Sequence, residues 1–405
     1  MEELAQRPPS PATSPAHPEE MDETTTLVCK PRNKGGTSNL SSAAFNVINS
    51  IIGSGMIGLP YSLKQAGFPL GILLLLAVAY ITDYSIILLI KGGNLSGTNS
   101  YQALVNKAFG FVGYLILSAL QFLYPFIAMI SYNIITGDTL TKVFQRIPGV
   151  DQDNLLIGRH VIILCVTIIF TLPLSLFRNI SKLGKVSLVS LILTVLILVF
   201  GIIRAITFSA QVTQTENPWV FAKPNAAQAI GVMSFGDIFE NYCRDDDLAT
   251  FGRFCYGITV ILTFPIECFV TREVLANVFF DGNLTTICHV ALTVIVIALA
   301  TSVSLVYDCL GIVLELNGVL SATPLVFILP AACYLRFSEE RWTHSDNLLS
   351  ALILTIGVLV MIVGFVMTVL HPQDCSHGQE MPYCFLGNSS LYNQTVLSSP
   401  QTHQP

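Results

Sequence analysis

The residues best suited to bind a ligand lie in an apolar run near the start of the chain. This run extends from Phe45 to Pro60 and is interrupted by Gly-Ser-Gly at residues 53–55. Lipid offers no partner for a loose backbone group, so unwound backbone at that depth must be buried in protein or line a cavity. Asn46, Asn49 and Ser50 precede the interruption and could add side-chain oxygens to such a site. The alternative is that the small residues only permit close packing against a neighbouring helix.

Composition places the chain among membrane proteins. Of its 405 residues, 52% are hydrophobic and 11% are charged, whereas soluble domains carry about 25% charged residues. Apolar runs of roughly 20 residues, enough for a span, recur along the chain. The sequence contains no basic domain for nucleic acid, and it lacks the phosphate-binding glycine loop, the His-Glu-x-x-His motif and the nucleophile elbow of enzymes. We therefore expect neither an enzyme nor a nucleic-acid-binding protein.

The chain divides into three predicted regions. Residues 1–42, rich in Pro, Ser, Thr and Glu, are predicted to be a disordered tail, residues 43–370 a transmembrane domain, and residues 371–405 a polar tail. The nine predicted spans are 43–62, 69–91, 110–135, 160–177, 186–207, 254–271, 287–308, 311–334 and 348–370.

Basic residues predict the orientation of these spans. The short loop 178–185 carries three of them, which favours the cytoplasmic side. With a cytoplasmic N-terminus, nine spans place the C-terminal tail outside the cell or in a lumen. Glycosylation sequons at Asn388 and Asn393 lie in that tail and are predicted to carry glycans.

Polar residues within the spans are further candidates. Thr259 and Thr263 share one helical face and suit a hard cation such as sodium, although either hydroxyl could instead bond the carbonyl four residues earlier. Glu267 either faces a cavity, pairs with Arg272 or meets water. Asp83 is predicted to be the most buried acid.

Two other polar groups lie within spans, and their roles stay open. Residues 131–133 form a cluster that could face a pathway. Glu315 and Asn317 either serve function or form hydrogen bonds between helices.

The run at 45–61 resembles the first-helix signature of the sodium-coupled neutral amino acid transporters, of the amino acid/auxin permease group. Weaker matches lie at 128–140 and 262–265, and the likeness extends over about residues 40–370. The resemblance implies an all-α membrane protein with a LeuT-like helical bundle of eleven helices, built from two inverted repeats. It also implies sodium-dependent secondary transport of neutral amino acids.

The family pattern assigns roles to individual residues. It implies that Asn49 and Thr263 hold sodium, which is the coupling ion, and that no other cofactor is needed. It also implies that the backbone around five residues meets the amino acid substrate. These are Ile52, Gly53, Ser54, Gly55 and Met56.

The chain departs from the family pattern in its middle. Residues 226–235 are apolar but far too few to span, and a polar stretch, 236–247, follows at once. We expect roughly fifty family residues to be missing, namely the inner half of helix 6 and all of helix 7. About nine full spans would then remain instead of eleven, with residues 208–253 as one outer segment.

This shortening leaves three functions open. The chain is a transporter in the plasma membrane or an endolysosomal membrane, or it is a transport-inactive, splice-shortened form. An inactive form has a regulatory role or none, and could pair with full-length chains. The third alternative is an amino-acid sensor.

The two cysteines of the C-terminal tail yield a first testable prediction. Cys375 and Cys384 are predicted to form a disulfide in an oxidising compartment, with Cys243 as a competitor, while Cys309 and the other span cysteines pack as small hydrophobes. So short a loop constrains mainly the tail, so replacing both residues with Ser should leave transport unchanged. Mass spectrometry of protein from cells should find the bond, and two free thiols would refute it.

Overall fold

The computed structural model describes residues 40–53, 63, 66–147, 158–208, 246–280, 282–307, 309–339 and 344–370. All of them belong to one compact unit, residues 37–405. They form nine helices and no strand, which confirms the all-α prediction. The helices are α1 Leu40–Ile52, α2 Phe68–Ser96, α3 Tyr101–Phe144, α4 Arg159–Ser175, α5 Gly184–Phe208, α6 Asp247–Phe279, α7 Thr286–Val306, α8 Leu310–Phe337 and α9 Ser345–Leu370.

Seven of these nine helices are long and apolar enough to cross a bilayer, and the short ones are α1 and α4. α1 stops at Ile52, inside the predicted span 43–62, because Gly53 has a φ of +27° that ends the regular helix. α4 includes a π-helical turn, Thr167–Thr171. The described part of the chain thus contains seven long helices and two short ones, and the remainder of the predicted first span, 54–62, lies outside the described residues.

α6 begins earlier than the apolar pattern predicts. The carboxylate of Asp246 accepts hydrogen bonds from the N–H groups of Leu248 and Ala249 at 3.0 and 3.1 Å, which makes it an N-cap. Residues 247–253, predicted to be part of the outer segment, are consequently helical. α1 likewise begins at Leu40, inside the predicted tail 1–42.

α3 and α6 form the centre of the bundle. Met129 and Tyr132 of α3 pack with Tyr256 and Phe264 of α6 in one buried cluster. α2 and α9 lie at the periphery and expose many large apolar side chains, as helices facing lipid do. Polar residues buried in α3 and α6 are thereby held far from the lipid-facing surface.

Basic side chains link the ends of several helices. The Arg272 guanidinium donates to the carbonyls of Ser175 and Phe177 at 2.9 and 3.3 Å, and Lys91 of α2 pairs with Asp346 of α9 at 2.7 Å. The ends of α4 and α6 therefore meet beside the basic loop predicted to be cytoplasmic, and the end of α2 meets the start of α9.

At the opposite end of α6, its first residues lie against the last turns of α5. Arg204 pairs with Asp246, and the rings of Phe200 and Phe251 meet edge to face with centroids 5.4 Å apart. The chain therefore leaves α5 and enters α6 at the same end of the bundle.

One cysteine within the described residues differs from the prediction in its bonding state. Cys309, just before α8, is disulfide-bonded, so the expectation that it packs as a small hydrophobe is wrong; its partner lies outside the described residues. The free cysteines in the described part of the chain are Cys165, Cys255, Cys268, Cys288 and Cys333. Cys375 and Cys384 also lie outside the described residues, and their pairing stays a prediction.

The common end of α5 and α6 generates a topology prediction. Residues 209–245 are too short for two spans of roughly 20 residues each with a turn between them, so we expect no crossing there. Epitope tags inserted near residues 225 and 240 should both be accessible on intact cells without permeabilisation. A tag at 225 that is reached only from the cytoplasm would contradict this topology.

Candidate functional site

The end of α1 lies inside the bundle. Asn49 is 1% exposed, Gly53 is buried, and the Gly53 N–H still donates to the Asn49 carbonyl at 3.0 Å. Ile52 is half-buried at the last helical position. The other residues predicted to meet substrate, Ser54, Gly55 and Met56, lie outside the described residues, as do Asn388 and Asn393.

The amide oxygen of Asn49 joins three helices. It accepts hydrogen bonds from Ser190 Oγ of α5 at 2.8 Å and from Thr263 Oγ1 of α6 at 3.2 Å. All three side chains are at most 1% exposed. The structure thus brings the two predicted sodium ligands into contact and adds Ser190, which the sequence reasoning missed.

A backbone oxygen lies beside this group. The Thr259 carbonyl accepts hydrogen bonds from Thr263 Oγ1 at 2.8 Å and from Ser190 Oγ at 3.4 Å. Thr259's own hydroxyl bonds the Cys255 carbonyl, so both threonine hydroxyls form the bond to the carbonyl four residues earlier that was considered as the non-functional alternative. Thr263 differs in that it also contacts Asn49. Four oxygens from α1, α5 and α6 therefore converge, and oxygen ligands suit hard cations.

The amide nitrogen of Asn49 is a further feature of the site. Nδ2 is buried and has no hydrogen-bond partner in the described part of the protein. A buried donor without a partner is unfavourable. It is suited to an acceptor such as a carboxylate oxygen of a ligand.

A second asparagine attaches α1 to α5. Asn46 donates to the Ile180 carbonyl at 2.8 Å and accepts from Ser187 Oγ at 2.6 Å. Close approach is possible because Gly184 has no side chain, since a Cβ there would lie 1.9 Å from the Ser42 hydroxyl oxygen. The two pairs, Asn46–Ser187 and Asn49–Ser190, are separated by three residues in both helices. The polar face of α1 therefore lies against the polar face of α5.

This matching spacing is the signal that could have revealed Ser187 and Ser190 in the sequence. Each serine lies three residues from the other in the segment 184–190, as Asn46 and Asn49 do in α1. A serine within an apolar span is common, however, and only knowledge that α1 and α5 are neighbours makes the spacing informative.

Glu267 lies next to this site rather than in an ion pair. Its side chain is 6% exposed and lies near the Ser50 side chain. Arg272, the predicted alternative partner, instead binds carbonyl groups of α4 and its vicinity and the Thr293 hydroxyl. The predicted local pairing with Arg272 is therefore wrong, and the carboxylate reaches α1.

The other polar candidates are dispersed. Asp83 is exposed on α2, so the prediction that it is the most buried acid is wrong. Asn133 donates to Thr301 of α7 at 3.3 Å, and Asn317 donates to the Tyr124 carbonyl at 3.2 Å. Glu315 of α8 is buried, and its Oε2 has no hydrogen-bond partner among the described residues. None of these residues contacts Asn49.

A membrane bundle whose first helix stops at a buried cluster of oxygens has the architecture of a secondary transporter. The family model described as transmembrane amino acid transporter protein matches residues 36–236 and 236–370. The chain belongs to this family. Amino acid transport across a membrane is therefore its class of activity.

Individual relatives agree with this assignment. The chain is 59% identical to the "Putative sodium-coupled neutral amino acid transporter 11" of Bos taurus, over 95% of the chain and 94% of the relative. It is 55% identical to the protein of the same name from Danio rerio, over 88% and 92%. It is also 25% identical to "Vacuolar amino acid transporter 2" of Saccharomyces cerevisiae, over 84% and 85%.

These comparisons also bear on the missing segment. The Bos taurus alignment covers 437 residues but includes only 95% of the 405 residues of this chain, so about fifty positions of the relative have no counterpart here. The two family matches meet at residue 236. This agrees with the predicted length and place of the shortening.

Gly53 yields a prediction about the end of α1. A Cβ at this position would lie 2.7 Å from the Tyr132 hydroxyl oxygen at a φ of +27°, so Gly53→Ala combines a steric clash with backbone strain. We expect a loss of about 1–3 kcal/mol of stability, measured by thermal or chemical unfolding of the purified protein in detergent. Gly201→Ala is the matched control, because Gly201 is helical with nothing within 4 Å. Equal stability of the two variants would contradict the assigned geometry.

Proposed function

We propose that this chain carries out sodium-dependent secondary transport of neutral amino acids, with sodium as the coupling ion. The observation that carries the proposal is the convergence of Asn49, Ser190 and Thr263 from three helices at the end of α1. A sodium ion at these oxygens would replace the hydrogen bonds that now link them. Binding would thereby tie α1 to α5 and α6.

The amino acid would bind at the interrupted backbone after Asn49. The Asn49 Nδ2 donor without a partner would meet its carboxylate, beside the bound cation. The printed names of the Bos taurus and Danio rerio relatives, which specify sodium coupling and neutral amino acids, support this substrate class.

In this proposal the N-terminus is cytoplasmic and the C-terminal tail lies outside the cell or in a lumen. The membrane is the plasma membrane or an endolysosomal membrane. Glycans on Asn388 or Asn393 would support that orientation.

A second candidate function is that of a transport-inactive chain that pairs with full-length chains. About fifty positions present in the relatives have no counterpart here, and Asp83 exposes a carboxylate within the apolar helix α2. A charge facing lipid is unfavourable, and a partner chain would cover it. Co-purification of differently tagged short and full-length chains, without uptake by the short chain alone, would favour this candidate.

Thr263→Ala tests the sodium site. The variant loses one oxygen, so the sodium concentration for half-maximal amino acid uptake into liposomes should rise several-fold. Thr259→Ala is the matched control, because its hydroxyl bonds only the Cys255 carbonyl in the structure, and it should resemble the wild type. Unchanged sodium dependence in both Thr263→Ala and Asn49→Ala would refute the assignment.

A further inference from the structure

Glu267 is a buried acid without a basic partner. Its side chain is 6% exposed, and no salt bridge in the described part of the chain includes it. Arg272, five residues further along α6, directs its guanidinium to the Ser175 and Phe177 carbonyls and to Thr293. An uncompensated carboxylate within a bundle is costly, so a cation is the expected complement.

The position of this carboxylate indicates where such a cation would bind. Ser50 follows Asn49 directly in α1, and Glu267 follows Thr263 by four residues, which is one helical turn. The Asn49–Thr263 contact at 3.2 Å and the Ser50–Glu267 contact therefore lie side by side along the interface of α1 and α6.

The chemistry of the two contacts differs. Asn49, Ser190 and Thr263 offer only neutral oxygens, whereas Glu267 offers a carboxylate. In a low-dielectric interior, a nearby negative charge strengthens the binding of a cation far more than an added neutral oxygen does. The pair Ser50–Glu267 thus has the charge that the adjacent group of oxygens lacks.

We propose that Glu267 and Ser50 form an anionic position for a monovalent cationic group, one helical turn from the neutral oxygens of Asn49 and Thr263. This inference rests on the proposed function. The cationic group is either a sodium ion or the ammonium group of the amino acid, and both would be bound by the same carboxylate. Movement of one ion between the neutral and anionic positions would then give it a path along α1.

The test is a thermal-unfolding titration of the purified full chain in detergent. In one series, sodium chloride replaces choline chloride stepwise, so that the ionic strength stays constant. A second series adds L-alanine or L-glutamine at a constant, saturating concentration of sodium chloride. Glu267→Gln keeps the size of the side chain and its ability to hydrogen-bond with Ser50 but removes the charge.

We expect Glu267→Gln to raise the half-maximal concentration of its cationic ligand by at least about tenfold. A shift in the sodium series assigns the position to sodium, and a shift in the amino acid series assigns it to the ammonium group. Glu315→Gln is the matched control, because Glu315 is also a buried carboxylate in a span but lies on α8 rather than on α1 or α6. It should leave both titrations unchanged.

Two further variants keep the proposal falsifiable if Glu267→Gln does not fold. Ser50→Ala and Glu267→Asp should shift the same titration in the same direction by a smaller factor. If the wild type responds and these variants give the same titration curves, the anionic position is refuted while the proposed function stands. A wild type that responds to neither sodium nor amino acid would overturn the proposed function together with it.

Discussion

The hydrogen bonds to the Asn49 side chain are the interaction on which the candidate site depends. A helix that ends within a membrane domain must have its polar groups satisfied by other helices, and α1 meets this constraint through α5 and α6. Asn49 accepts from Ser190 and Thr263, while Asn46 bonds α5 and the turn before it. The same bonds that stabilise the short helix therefore assemble the oxygens of the site.

This arrangement links ligand binding to helix movement. α3 and α6 form the buried centre, whereas α1 contributes a single short helix held mainly by polar contacts. A cation that replaces the hydrogen bonds among Asn49, Ser190 and Thr263 would change how firmly α1 is joined to α6. A contact between α1 and α6 that differs between the ion-bound and ion-free states would allow a coupling ion to control access to a substrate site.

Hydropathy, a local signal, predicted the helical class and the approximate places of the apolar helices. The proximity of Asn49 to Thr263 was implied only by the resemblance to the amino acid transporter family, because the two residues are far apart in the sequence. The sequence did not predict the start of α6, which the N-cap at Asp246 determines. It missed Ser190, since a lone serine in a span becomes informative only through its neighbour. It misjudged Asp83 and Cys309 because position within a span does not reveal which face a residue presents or which distant residue it meets.

The central claim is that this shortened chain couples sodium to amino acid movement through the Asn49 site. The most direct measurement is accumulation of radiolabelled neutral amino acid in liposomes containing only the purified chain, with an inward sodium gradient. The account predicts accumulation that disappears when choline replaces sodium and when Asn49 is replaced by Ala. Absence of accumulation by the folded chain, or equal accumulation in choline, would contradict it.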